Sequence, residues 1–374
     1  MNAYISGIGM VAPGVRALDD LDGPQAPEPV PADWFDPVPF LGKRGWKYFT
    51  PATRYLLAAA NEAQGTRHGD APPEGQVAER VGVTTGTHHS ISAMHQRLDQ
   101  IAREEGPAGM SPAELPGFSV NMPASQLAIS LRCRAFSVTL TNPVVAGLEA
   151  VLFAASALAA GRADRVLATA TEEAPAAYGV GAAADGGART LGGAAVLALD
   201  AAPAAGPDGR APLGEVLGGA SRFVPVAADG TWQPRALDAA VRRVVALATG
   251  EGAGGASDAV VGAATGAANP AAAEAAEATI PGAAEVPPLR YAFCGPAAAA
   301  PADEALRKAL VESGRPVVEA PASRGADARY GTVSGILRIG QLLRAPGPWL
   351  LVAASADGHL TAVRGNSAFP NTHA

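Results

Sequence analysis

The sequence predicts an α/β protein in which helices cover a sheet. Three observations carry that reading. Strand-like and helix-like segments alternate, the second half repeats the theme of the first, and a Pro/Gly/Ala-rich stretch divides them near the middle. Residues 1–200 and 211–374 are therefore expected to form two halves of similar makeup, joined by a linker at 201–210.

The elements follow in order. Residues 4–11 read as a buried strand. Residues 51–63 read as a helix: Tyr55, Leu56, Ala59 and Ala60 recur at helical spacing, Thr50 is placed as N-cap and Pro51 takes the first helical position. A short strand at 81–85 ends in Gly86, a strand at 137–141 leads to a long apolar helix at 147–160, and strands follow at 165–170 and 191–199, the latter buried on both faces. Beyond the linker, helices are expected at 235–248, 269–278 and 302–312, and strands at 258–263, 289–293 and 316–320. A Gly-containing turn near Tyr330 opens a helix ending at Leu343, and 349–354 with 359–363 close the chain as an antiparallel pair.

Composition narrows the function. The 374 residues carry a net charge of -7, 48% are hydrophobic and only 5% aromatic, with Ala and Gly dominant and Arg far outnumbering Lys. Mild acidity argues against nucleic acid or an anionic membrane as the main partner. No apolar run of about 20 residues is present to span a bilayer. Two cysteines exclude a disulfide framework and fit a reducing cytoplasm, and no signal peptide is expected from the start of the chain.

Each candidate for chemistry has a plainer alternative. Gly7-Ile8-Gly9-Met10-Val11-Ala12 superficially matches a dinucleotide fingerprint, but Pro13-Gly14 and an acidic, Pro-rich stretch stand where the phosphate-binding helix belongs. Cys133 lies between Arg132 and Arg134, which would lower a thiol pKa, yet free cysteine is commonly just buried. Cys294 carries the same ambiguity. Either His88 or His89 shares a helix face with His95 if that segment is helical, but zinc needs a third ligand and a carboxylate support that are not nearby, so no metal is expected. Neither a Gly-x-Ser-x-Gly elbow nor a P-loop occurs, and no cofactor is implied.

Taken together, several segments resemble the β-ketoacyl synthases, condensing enzymes of the thiolase fold. Tyr4-Ile5-Ser6-Gly7-Ile8-Gly9-Met10-Val11-Ala12-Pro13 resembles their opening strand and turn, and Val81-Gly82-Val83-Thr84-Thr85-Gly86-Thr87 the next Gly-terminated strand. Asn121-Met122-Pro123-Ala124-Ser125 resembles the segment ahead of the nucleophile, and 139–151 with Gly161-Arg162-Ala163-Asp164 the strand, nucleophile turn, helix and helix exit. Thr171-Glu172-Glu173 and Gly192-Gly193-Ala194-Ala195-Val196-Leu197 continue the likeness through most of residues 1–200. The resemblance implies a thiolase-like fold of duplicated αβαβα halves.

The departures carry the functional reading. A ketosynthase needs a cysteine on the strand-to-helix turn, and the alignment puts Val144 there. The family's two histidines, which stabilise the developing enolate and oxyanion, belong in the C-terminal half, where no histidine lies between His95 and His359. The first falls on Ala263 in one register, with Glu274 as the following acid, or on Phe293/Cys294 in another; Arg324 to Arg329 puts Arg329 at the second. The Phe-containing gate is replaced by Ala356-Asp357-Gly358-His359.

Such a chain resembles the chain-length factor of type II polyketide synthases. That resemblance implies a subunit inactive by itself, paired with a catalytic ketosynthase, contacting an acyl carrier protein and walling the tunnel of the growing polyketide chain. The strand Ser137, Val138, Thr139, Leu140 and Thr141 is then expected at the two-fold interface, with Phe118, Met122 and Gln126 approaching the tunnel. The usual glutamine at the nucleophile position is absent, which leaves decarboxylase or priming roles open. Two other readings stand beside it: a thiolase-fold acyltransferase using Cys294 or another improvised nucleophile, and a homodimeric acyl-binding scaffold.

Overall fold

Alternating apolar residues and glycines make β1 (Ala3–Val11) a strand buried along nearly its whole length in the computed structural model. The structure describes residues 2–23, 30–31, 33–112, 115–174, 191–206, 209, 211–249, 287–321 and 328–368. β1 continues through Gly7 and Gly9, with a register shift against β5 between Ile5 and Gly7, and the chain then turns at Pro13-Gly14 into a 3-10 turn at Leu18–Asp22. The apparent dinucleotide fingerprint is thus part of a strand and opens no helix.

The first half continues through α1 (Val38–Leu41), α2 (Pro51–Gln64), α3 (Gly75–Glu79), β2 (Val81–Gly86), α4 (Ser92–Glu104), α5 (Met122–Ser130), β3 (Ser137–Leu140), α6 (Ala146–Ala159), β4 (Arg165–Glu172) and β5 (Gly193–Asp200). The second comprises β6 (Gly214–Phe223), α7 (Pro234–Thr249), β7 (Leu289–Cys294), α8 (Ala300–Glu312), β8 (Val317–Glu319), α9 (Ser334–Leu342), β9 (Gly347–Ala354) and β10 (His359–Ser367). Local signals set the α2 boundaries: the Thr50 side chain accepts the Thr53 N–H, Pro51 starts the helix, and Gly65 ends it in the left-handed conformation at φ 63°.

The strand order is β3-β2-β4-β5-β1-β6-β10-β9-β7-β8. β3, β2 and β4 are parallel, and β4, β5 and β1 are antiparallel. The second five strands repeat that order and those senses from β8 to β6. The halves join where Ala3–Ile5 of β1 pairs with 214–216 of β6. The same connectivity occurs twice in one chain.

Three apolar clusters fill the spaces between layers. Leu56 and Leu57 of α2 and Leu127 of α5 pack on Val83, Leu167 and Val196 outside the first half-sheet. Val241 and Val244 of α7 and Leu306 and Leu310 of α8 cover Leu350, Val352 and Leu360 outside the second. Between the half-sheets, Leu148 and Val151 of α6 meet Ile336 and Ile339 of α9, together with Leu197, Trp349 and Leu351. Every residue of α9 is buried. This middle layer explains why α6 is apolar almost all round.

Two sequence expectations change. Residues 214–223 form β6, a strand unread in the sequence, and the strand expected at 137–141 ends at Leu140, leaving Thr141 in the turn. The strand expected at 258–263 and the helix at 269–278 lie outside the described residues.

Candidate functional site

The turn from β3 to α6 is built around a backbone that valine disfavours. Val144 has φ 62°, one of two non-glycine residues with positive φ among those described. The left-handed region crowds Cβ against the backbone by about 1–2 kcal/mol, and branching at Cβ makes it worse. Neighbouring bonds hold it there. The Val145 N–H donates to the Pro143 carbonyl (2.6 Å), the Ala146 N–H to the Asn142 carbonyl (3.2 Å), and Asn142 Nδ2 to Glu149 Oε2 (2.8 Å). Glu149 Oε1 accepts from Ser221 Oγ of β6 (2.9 Å), which accepts from Thr361 Oγ1 of β10 (3.0 Å). A polar chain thus ties the elbow to the second half. The Val144 side chain is buried at 5% exposure.

The ends of β2 and β4 and the start of α9 converge beside this elbow. A Cβ on Gly147, in the first turn of α6, would overlap the Thr332 carbonyl oxygen, so only glycine allows that approach. The Thr332 hydroxyl donates to Glu172 Oε1 (2.7 Å). Glu172 Oε1 also accepts the His88 N–H (2.8 Å), while Oε2 accepts the His89 N–H (2.6 Å). Burial pushes this carboxyl above its ordinary range, with those three donors pulling the other way. Glu173 Oε1 accepts the Ala93 N–H (2.6 Å), and burial, reinforced by the Glu172 charge, pushes Glu173 up to about 8. Burial and the neighbouring His88 push His89 down to about 4. His88 Nδ1 lies 3.2 Å from the Thr141 carbonyl oxygen.

Residues 25–197 match the family described as "Beta-ketoacyl synthase, N-terminal domain". The solved structure of the ishigamide ketosynthase/chain length factor superposes with a TM-score of 0.66 at 20% identity, covering 99% of this chain and 100% of that one. A type II PKS acyl-carrier protein in complex with its ketosynthase bound to the hexaketide gives 0.65 at 15% identity, with 98% and 99% covered. A β-ketoacyl synthase from Burkholderia phymatum gives 0.65 at 13% identity, with 98% and 100% covered. No curated protein matches. Residues 25–197 thus match that family's N-terminal domain, and the chain as a whole has the mixed α/β thiolase-like ketosynthase fold.

Within this ketosynthase-like chain the expected site residues fall as follows. Val144 stands on the left-handed strand-to-helix elbow. Ala263, Glu274 and Arg324 lie outside the described residues. Phe293 and Cys294 end β7, which occupies in the second half the place β2 holds in the first. Arg329 lies in the 3-10 turn before α9, where its carbonyl accepts the Leu191 N–H at 2.5 Å. Phe118 is exposed in a 3-10 turn (Leu115–Phe118), and Gln126 Nε2 reaches Met122 Sδ (3.3 Å) on α5. Ser137, Val138, Thr139 and Leu140 form the outermost strand of the sheet, partly or fully exposed.

Two further candidates are placed as follows. The flanking arginines do not activate Cys133: burial pushes its thiol up to about 12, and Cys294 up to about 11. His88 and His89 precede α4, which starts at Ser92, so they share no helix face with His95. Among the described residues, no group of three or more His, Cys, Asp or Glu side chains is placed to hold a metal ion. Sequence reasoning missed Glu172, Glu173 and Thr332 as a cluster. The available signal was two consecutive glutamates ending a strand otherwise buried on both faces.

Proposed function

We propose that this ketosynthase-like chain is a non-catalytic chain-length factor, which pairs with a catalytic ketosynthase and helps to wall the tunnel of a growing polyketide chain. The observation that carries the reading is Val144: the elbow keeps the left-handed geometry suited to presenting a nucleophile, yet holds a buried side chain that can neither attack nor carry an acyl group. Both thiols are buried with raised pKa values, which speaks against the acyltransferase reading through Cys294.

Three further assignments belong to this reading. The outer edge of β3 offers backbone groups for a partner strand, so Ser137 to Leu140 is assigned to the subunit interface. Sheet position favours the register that puts Phe293/Cys294, rather than Ala263, at the lost first histidine, and Arg329 is assigned to the second. Lys43, Arg44 and Lys47 are exposed together and offer an acyl carrier protein a basic surface. The linker at 201–210 is the boundary between the repeats.

Co-expression with a catalytic type II ketosynthase subunit tests the reading. A stable heterodimer is expected, with product length shifting when Phe118, Met122 or Gln126 changes size. Intact mass after incubation with acyl thioesters is expected to show no acyl adduct on this chain. A lone homodimer without effect on product length, or a covalent acyl-enzyme, overturns it.

A further inference from the structure

We propose that Glu172 and Glu173 are positioning residues: consecutive interior carboxyls at the end of β4 that clamp the turn leading from β2 into α4 and, through α4, set the place of Phe118. The clamp rests on the hydrogen bonds alone, and its effect on product length rests on the chain-wall reading above.

α4 lacks a cap of its own. Its N-cap residue is Ile91, whose side chain makes no capping bond; the Ser92 N–H reaches the His89 carbonyl (3.2 Å), and the Ala93 N–H in the next position is left for a more distant acceptor. Glu173 supplies one from a distant strand by accepting the Ala93 N–H at 2.6 Å. One residue earlier, Glu172 takes the N–H groups of His88 and His89 on its two oxygens. Together the pair holds the turn through Glu172 and the helix start through Glu173, the residue that follows β4. Leu98 is the one buried residue of α4, whose other described contacts are at its surface.

The clamp has a cost that an apolar residue would avoid. Glu173 is 2% exposed and its Oε2 is buried without a hydrogen-bond partner among the described residues. Leaving such an atom unpaired is unfavourable, so the group is retained for what its other oxygen does. From α4 the position passes on through two contacts. His95 Nε2 lies 3.2 Å from the Phe118 carbonyl oxygen with the two rings 4.2 Å apart, and Met94 packs where a Cβ on Gly117 would stand.

Hydrogen exchange on the full chain tests this. Glu173→Ala is expected to speed exchange at 87–104 by about tenfold or more while β9 and β10 are unchanged. Glu173→Gln keeps an acceptor oxygen and is expected to change it much less. Exchange unaltered at 87–104 in Glu173→Ala, or raised equally in β9 and β10, overturns the clamp. His95→Ala, which leaves the cap intact, is expected to speed exchange at 115–119 alone; no change there overturns the link to Phe118. In the ketosynthase complex, Glu173→Ala is expected to broaden the product-length distribution. Faster exchange at both segments with an unchanged product upholds the clamp and overturns Phe118 as part of the chain wall.

Discussion

Val144 and Val145 are adjacent and both buried, yet their backbones differ: φ is 62° at Val144 and -82° at Val145. Glycine at either position loses about 1.5–3 kcal/mol of side-chain burial. At both positions the change adds about 0.5–1 kcal/mol of backbone entropy, but only at Val144 does it also release about 1–2 kcal/mol of left-handed crowding. Val145→Gly is therefore expected to be about 1–2 kcal/mol more destabilising than Val144→Gly in urea denaturation. Equal effects would mean that the elbow is not strained. The titrating residues give a second test. His89 is held neutral in the fold, with its pKa lowered from 6.5 to about 4, so stability is lost as pH falls through that window. Glu173 binds its proton more tightly folded than unfolded, so stability is gained as pH falls from about 8 towards 4.5. The charged or titratable neighbours acting on this pair are Glu172, His88 and Tyr55. Glu173→Gln is expected to flatten the urea midpoint above pH 6.5, where His89 contributes no slope. His89→Ala is expected to reduce the acid loss.

At the scale of elements, β1 shows what a short stretch of sequence makes legible. Its apolar run marks a strand, and Gly9 marks how closely a helix lies on it: a Cβ there would overlap the Ala59 carbonyl of α2. Gly9→Ala is expected to destabilise by about 3 kcal/mol through overpacking, readable as a lowered Tm. The capping of α2 and the apolarity of α6 were equally visible, because both signals are local. β6 was not. Gly214, Gly218 and Gly219 break its apolar pattern, and it is a strand because β10 pairs with it along its length. The Glu172–Glu173 cluster was hidden for the same reason, since its donors lie between 80 and 160 residues away in sequence. The elbow position could be read at Val144 from spacing, but its φ could not, because nothing about a valine announces a left-handed backbone.

For the whole molecule, the two ends of the sheet are unequal. β8 is short and flanked by Arg307, which pairs with Glu319 on that edge. β3 carries apolar Val138 and Leu140 on an edge that no described strand covers, a liability in water unless another strand pairs with it. Val138→Asp is expected to abolish co-purification with the ketosynthase while leaving the circular dichroism of the isolated chain unchanged. Retained co-purification would place the interface elsewhere.

The middle layer has a further consequence during synthesis. α6 buries its apolar surface partly against α9, near the far end of the chain. A ribosome adding roughly 5–20 residues per second leaves the first repeat with that face open for about ten to thirty seconds before its cover emerges. Nascent chains ending near residue 200 are expected to bind a hydrophobic dye and to lose it once the second repeat is supplied in trans. Each half thus serves as the other's lid across the shared middle layer.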